Sequence, residues 1–471
     1  MEVVKQNLKL YADPKAVITR FLQLHGKNRT SNIIQRIKDL TEEEVVSFLE
    51  KTMNEFASRH RNIEGIFEDH YTRINKEYKN DLRGFSEKKK LLLGALFTKE
   101  NSIQAAALFN PSIVPHPDQS HLQTGIQRLV ISLRATGEGH ISSIVFKTGL
   151  VGPSGNISLD QSSRYFSVLK KKEDTLYSKQ FIKERISFFQ PTDISWIDVL
   201  PDCFSAAEAI KLIDGSSEEA EKLLKEIFDS NYELNSSPDI AINEKVIFPS
   251  AKAESMGMED VRFVKFTDKE FSCYYGTYTA YDGHRIKTQL IETRDFQDFK
   301  ISSLYGNAIS DKGMALFPEK INGNYVMISR QGGEKISIMF SNNLYAWDDY
   351  KTLMEPLYTW EFVQLGNCGS PVKTDKGWLL LTHGVGAVRA YVISAILLDL
   401  NNPSRIIGRL SKPLITADES EREGYVPNVV YTCGLLRHGD LLIIPYALSD
   451  SATAFATIEL NLLLNELLQT D

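Results

Sequence analysis

The strongest constraint on how this chain can fold is a repeat. Five short stretches place a proline or an acid at the start of a β-rich run: Asn110-Pro111-Ser112, Glu259-Asp260-Val261-Arg262, Phe317-Pro318-Glu319, Gly369-Ser370-Pro371 and Val426-Pro427-Asn428. From Asp260 through Phe317 and Pro371 to Pro427 the successive gaps are 57, 54 and 56 residues. The first gap, from Asn110 to Asp260, is 150, and falls to about 65 once a helical insertion of roughly 85 residues is set aside. A period near 50 filled by about four short strands is the pattern of propeller blades. The spacing therefore predicts a mainly β chain folded as a five-bladed β-propeller. In that architecture the first residues of every innermost strand converge, so residues far apart in sequence surround one small ligand. The plainer reading, that proline merely opens edge strands, leaves the regular spacing unexplained.

The rest of the chain has a different pattern. Ile33, Ile34, Ile37 and Leu40, and then Val45, Val46, Phe48, Leu49, Met53 and Phe56, recur at three- and four-residue spacing, which predicts amphipathic helices. Thr41 followed by Glu44 has the form of a capping box at a helix start. Lys88, Lys89 and Lys90 read as a solvated linker face. Beyond Gln104 the sequence turns to short runs such as Leu129–Leu133, Tyr325–Ile328 and Trp378–Thr382, bounded by Gly, Asn, Asp or Pro. Helical period returns in Ala206–Ile213 and Glu218–Phe228, with Gly215-Ser216-Ser217 as the break. The expected organisation is an N-terminal α-helical domain over 1–100 and a propeller domain over 101–471, with a helical insertion between blades at about 163–245.

Composition excludes several classes. Of 471 residues, 42% are hydrophobic and 24% charged, the range of folded globular chains. A net charge of -7 leaves no basic surplus to displace counterions, so no nucleic-acid partner is expected. No run of about 18 apolar residues predicts a membrane span. Met1 to Lys15 lacks the apolar core of a secretory signal. Cys203, Cys273, Cys368 and Cys433 are scattered without metal-ligand spacing. They read as buried free thiols of a cytoplasmic protein, with no metal.

The blade starts supply the chemistry. Glu259 and Asp260 are adjacent, so along a regular strand only one can face a central channel. Arg262 falls on the face of Asp260, and a guanidinium beside a carboxylate depresses its pKa, which does not suit a general acid unless burial or a substrate hydroxyl raises it. A structural ion pair is the other reading. Arg134, Lys312, Arg330, His383 and Arg389 lie in or beside Gly- or Pro-rich β segments, and gathered at one mouth they suggest an anionic co-substrate such as phosphate. The alternative is a set of scattered surface cations. Tyr274, Tyr275, Trp347, Trp360 and Tyr391 could stack on sugar faces, although most aromatics at this density belong to the core.

Taken with Leu108–Ser112, Leu133-Arg134-Ala135, Ala315–Lys320, Gly377-Trp378-Leu379, Thr382–Val385, Leu397–Leu400 and Val426–Val430, these segments resemble glycoside hydrolase family 130, the mannoside phosphorylases and related β-mannosidases. The resemblance runs from about residue 104 to 460, apart from the insertion. It implies a five-bladed propeller acting with inversion on β-mannosides. It makes Asp260 the general acid, its proton passing through a mannose hydroxyl. It matches the family's phosphate-binding residues with Arg134, Lys312, Arg330 and His383, with Tyr391 nearby, and the mannose-holding aspartate with Asp450. Asn110, Arg262 and Arg389 complete the expected sugar-binding set. Val261 stands where the family has proline, and Gly366–Pro371 departs from the common form on the acceptor side.

The resulting expectation is an inverting phosphorylase that converts a β-mannoside and inorganic phosphate to α-mannose 1-phosphate and a shortened acceptor, with no other cofactor. An inverting β-mannosidase is the alternative. It needs a carboxylate to activate water, and Glu138 and Glu361 lie in loops suited to that role. A non-catalytic sugar-binding propeller is a third reading. The arabinan- and fructan-cleaving propellers share the Asn-Pro start but normally need three dispersed channel carboxylates. The expected partners are a mannose-containing oligosaccharide and phosphate. For the helical N-terminus and the insertion, a homo-oligomer contact and a cover over the acceptor side are the two roles considered.

Overall fold

The computed structural model describes residues 2–469 except 27, 190, 215 and 216. The Gly215-Ser216 break expected in the insertion therefore lies outside the described residues. The chain divides into two compact units: Asp13–Ala105 with Ser163–Val168, and Met1–Ala12 with Ala106–Ser162 and Leu169–Asp471.

In the smaller unit the helices Arg29–Asp39, Glu42–Phe56, Ile63–Tyr78 and Glu87–Leu96 accompany an antiparallel pair, Val17–Phe21 and Thr98–Ser102. The helix at Glu42 starts where its cap requires. Thr41 Oγ1 accepts from the Glu44 amide at 3.2 Å, and the Glu44 carboxylate accepts from the Thr41 amide at 2.8 Å. Ile34, Ile37, Val45, Leu49, Leu92 and Leu93 are buried together, the apolar stripe that the period predicts. The lysine run is not a linker: it occupies the first turns of the helix Glu87–Leu96, where Lys89 Nζ donates to the Leu40 carbonyl at 2.8 Å. Nor are the first residues helical. Val4–Leu10 is a strand that pairs antiparallel with Ala452–Glu459 in the larger unit.

The larger unit overturns the propeller expectation. Five blades would require five separate sheets of about four strands. Instead Ala107–Pro115, Gln127–Thr136, Ser142–Val151, Gly257–Asp268, Phe271–Tyr281, Ile286–Thr293, Phe299–Ser303, Tyr232–Asn235 and Lys170–Lys171 follow one another in a single hydrogen-bonded path. Two expected blades are merged by a parallel contact between Gly257 and Ser142. Gly257 permits it, because its φ is +139° and a Cβ there would stand 2.9 Å from the Ser142 nitrogen. The insertion supplies the last two strands of the path, so it extends the sheet edge as well as contributing the helices Lys179–Ser187, Ala206–Leu212 and Glu218–Ser230. Further sheets are built on Tyr325–Gln331 with Lys335–Ser341, on Trp378–Val385 with Tyr391–Leu398, and on Leu441–Leu448 with Ala452–Glu459. None closes on itself, and the fold is mixed α/β with several open sheets. The sequence period sets strand length and turn spacing, but it does not say which edges bond to each other.

Between the sheets, Leu381, Ile393, Leu442 and Ile444 pack with Leu463, Leu464 and Leu467 of the helix Leu460–Gln469. A second core gathers the rings of Phe146, Phe263, Phe296 and Phe299. Trp378–Val385 is buried at every position, as a strand covered on both faces must be. Cys273, Cys368 and Cys433 are buried free thiols, whereas Cys203 is exposed. No described helix is long and apolar enough to cross a membrane.

Candidate active site

Two bulged strands make the site. Pairing slips between Phe109 and Ser112 on one strand, and between Glu259 and Arg262 on another. The bulged residues Asn110 and Asp260 adopt left-handed backbones, with φ of 48° and 55°. A bulge re-aims side chains out of strict alternation. Asn110 Nδ2 thereby donates to Asp260 Oδ1 at 2.7 Å, and Glu259 and Asp260 both line one cavity. The expectation that only one of this adjacent pair could face inward fails for that reason.

The cavity has a volume of about 280 Å³. Asn110, Arg134, Asp260, Arg262, Lys312, Arg330, His383, Arg389, Tyr391 and Asp450 all line it, so the acid and the expected phosphate- and mannose-binding residues meet there. Glu259, Gln364, Asn367 and Tyr431 join them without having been anticipated. Glu259 was set aside by strand alternation. Asn367 lies within, and Gln364 just before, the segment Gly366–Pro371, which stands out in the sequence only by its departure from the family form.

Arg134 holds the acidic side. Its Nη2 donates to Glu259 Oε1 at 2.9 Å, its Nη1 to Asp260 Oδ1 at 3.3 Å and its Nε to Ser142 Oγ at 2.9 Å. Lys312 Nζ donates to the other Glu259 oxygen at 2.8 Å. Arg262 does not pair with the Asp260 carboxylate. It donates to the Asp260 backbone carbonyl at 3.0 Å and to the Tyr431 hydroxyl, and so fixes the bulge itself. Burial pushes the Asp260 pKa up. The Arg134 and Arg262 guanidiniums, the Asn110 hydrogen bond and Lys312 outweigh that and hold it below the ordinary carboxylate range. Asp450 moves the opposite way, to about 6, because burial and the Asp260 charge exceed the pull of Arg134 and Arg389.

His383 occupies the far wall, 2% exposed, stacked on Tyr391 with ring centroids 5.8 Å apart. Burial, then Arg330 and Arg262, push its pKa down to about 3. It is therefore a neutral hydrogen-bonding group at pH 7, not the point charge expected of it. Arg330 Nε, Arg262 Nε, Asn110 Oδ1 and Asn367 Oδ1 are buried and have no protein partner. Buried polar atoms ordinarily find one, so these four unpaired atoms, all on cavity-lining residues, carry an unmet hydrogen-bonding demand. Among the described residues, no cluster of three or more His, Cys, Asp or Glu is placed to hold a metal.

Other readings separate from the site. Tyr274, Tyr275 and Trp347 are buried in the core, and Trp360 stacks on Tyr358 instead. Glu361 is 0% exposed and accepts from the amides of Leu357 and Tyr358 and from Arg409. Glu138 lies in an exposed turn and does not line the cavity.

A small polar cavity that sets carboxylates against guanidinium and ammonium groups defines a protein that binds a hydroxyl-rich substrate together with an oxyanion. A family model described as beta-1,4-mannooligosaccharide phosphorylase matches residues 227–469, just over half of the chain. The chain belongs to glycoside hydrolase family 130, and it is an enzyme acting on mannosides. It is 34% identical over 226 residues to 1,2-beta-oligomannan phosphorylase of Thermoanaerobacter sp., covering 46% of this chain and 74% of that protein. A beta-1,2-mannobiose phosphorylase of the same organism is 32% identical, over 46% of this chain and 72% of its own length. Another beta-1,2-mannobiose phosphorylase, from Listeria innocua, is 29% identical, over 47% and 63%. Asn110 and Arg134 precede the stretch that the family model matches.

Proposed function

We propose that this enzyme cleaves β-mannosidic linkages by phosphorolysis, releasing α-mannose 1-phosphate and a shortened manno-oligosaccharide. The observation that carries the reading is the sharing of one cavity by Asp260 and by Lys312, Arg330 and Arg389. Its support extends to the relatives named above, all phosphorylases.

In this reading the mannosyl unit sits against Asn110, Asp260, Arg134 and Asp450. Hydrogenphosphate lies against Arg330, Lys312, Tyr391 and neutral His383, where guanidinium and imidazole hydrogen bonds orient its oxygens. A phosphate oxygen attacks the anomeric carbon from the face opposite the glycosidic oxygen, so the β-linkage becomes an α-phosphate. The C–O bond to the acceptor breaks as the new one forms. The leaving oxygen takes a proton passed through a mannose hydroxyl held by Asp260. The net proton comes from hydrogenphosphate, which ends as the dianionic sugar phosphate. An ionised Asp260 has no proton to give by either route, so the carboxyl must take one up, in net terms the proton of hydrogenphosphate, before the glycosidic bond breaks.

Hydrolysis needs a carboxylate free to activate water. The two candidates for that role lie elsewhere, and Glu259 is ion-paired to Arg134 and Lys312. Incubation with β-1,2- and β-1,4-manno-oligosaccharides, with and without phosphate, tests the reading. Phosphate-dependent α-mannose 1-phosphate is expected; equal turnover without phosphate overturns it.

A further inference from the structure

Three strand connections carry non-glycine residues in left-handed backbone: His140 (φ 58°), Val388 and Arg389 (56° and 54°), and Ser449 and Asp450 (47° and 52°). The first two turns are counterparts. Gly137 and Gly386 enter them with φ/ψ of -111°/-155° and -107°/-155°. In each, the entering glycine amide donates to the residue four positions on, Ile141 or Ala390, at 3.0 Å. His140 therefore stands in its turn where Arg389 stands in the other. Arg389 and Asp450 line the cavity. Such backbone persists only where the surroundings impose it, and it gathers at functional sites.

The reaction described above gives His140 no role. Its Nδ1 lies 3.2 Å from the Tyr425 hydroxyl, and the two rings are 6.0 Å apart at 32°. Tyr425 is 54% exposed yet firmly placed. Its amide donates to Ser451 Oγ at 2.6 Å, and the next amide, of Val426, donates to the Ser449 carbonyl at 2.9 Å. It is thus tied on both sides of Asp450. An exposed aromatic ring, bonded through its segment to both neighbours of the cavity-lining Asp450 and carrying a hydrogen-bonded imidazole, has the form of a carbohydrate platform. At about 280 Å³ the cavity is at the low end of ligand sites. A cavity of that size has room for a mannosyl unit and a phosphate but little beyond them, which leaves the rim for the departing sugar.

We propose that Tyr425 and His140 form the acceptor subsite, the tyrosine ring lying against the leaving sugar and the imidazole bonding one of its hydroxyls. This rests on the phosphorolytic reading for the identity of that sugar. The test runs the full-length enzyme in the synthetic direction, with α-mannose 1-phosphate and mannose, mannobiose or mannotriose as acceptor. Tyr425→Ala is expected to raise the acceptor KM roughly tenfold and to leave the KM for α-mannose 1-phosphate and the melting temperature unchanged. His140→Ala raises the acceptor KM as well, whereas Tyr425→Phe, which keeps the ring, retains most of the affinity. An unchanged acceptor KM in Tyr425→Ala, or an equal rise in both constants, overturns the subsite. A parent enzyme that makes no α-mannose 1-phosphate overturns the phosphorolytic reading alone. The subsite is then decided by calorimetric affinity for mannotriose: weaker in Tyr425→Ala supports it, and unchanged overturns it.

Discussion

Asp260 and Asp450 share one cavity, and their surroundings drive their acidities apart. Asp260 is bonded by Asn110 and Arg134, and its anion is preferred. Replacing it by Asn keeps the shape but removes the group that governs proton transfer. Asp260→Asn should lower kcat by about 10²- to 10⁴-fold without unfolding the protein, measured by steady-state phosphorolysis alongside a thermal melt. For Asp450 the sign runs the other way. Its folded-state value of about 6 exceeds the ordinary 3.8, so between these pH values the folded protein holds a proton that the unfolded chain releases. Stability from this group falls as pH rises through that window, and above it the buried charge costs about 3 kcal/mol. Asp450→Asn should therefore raise the melting temperature of the ligand-free enzyme near neutrality, with the gain fading toward about pH 4. A gain that does not vary with pH would count against this account.

Strand pairing sets what these side chains can reach. Gly366 faces His383 across the pair Gln364–Asn367 and Trp378–Val385, and a Cβ there would stand 2.3 Å from the imidazole Cε1. The close approach fixes the ring against Tyr391. Gly366→Ala should displace His383 and lower kcat/KM for phosphate by up to about 100-fold, while kinetics on the mannoside change less. Phosphate titration at saturating mannoside reads the difference. The bulges act at the same scale. Alternation alone would send Glu259 and Asp260 to opposite faces, and the left-handed turn at Asp260 brings both inward.

Across the whole chain the net charge is -7, yet the cavity concentrates Arg134, Arg262, Lys312, Arg330 and Arg389. Local focusing of this kind draws an anion to one place on an acidic protein. Lys312, Arg330 and His383 come from a loop, the strand Tyr325–Gln331 and the strand Trp378–Val385, so a bound anion ties separate sheets together. Phosphate at about 100 times its Kd should stabilise the fold by about 2.7 kcal/mol. The shift in melting temperature checks this, and Arg330→Ala should remove most of it. A shift that survives in Arg330→Ala would place the anion elsewhere.

The sequence by itself marked part of the cavity lining. The blade-start segments brought forward Asn110 and Asp260, the Gly- and Pro-rich β segments Arg330 and His383, and the family resemblance Asp450, and all five line one cavity. It also marked the Thr41 cap, because capping depends on residues three apart. Hydrogen bonds between edges distant in the chain were beyond its reach. The Gly257–Ser142 contact merges strands that the repeat kept apart, and the insertion lends its own strands to the same path. Charge state was equally hidden: His383 reads as a cation in sequence and is neutral in its buried site. Local spacing fixes where a strand or turn begins, whereas sheet pairing and proton affinity depend on backbone and charges that only the folded chain brings together.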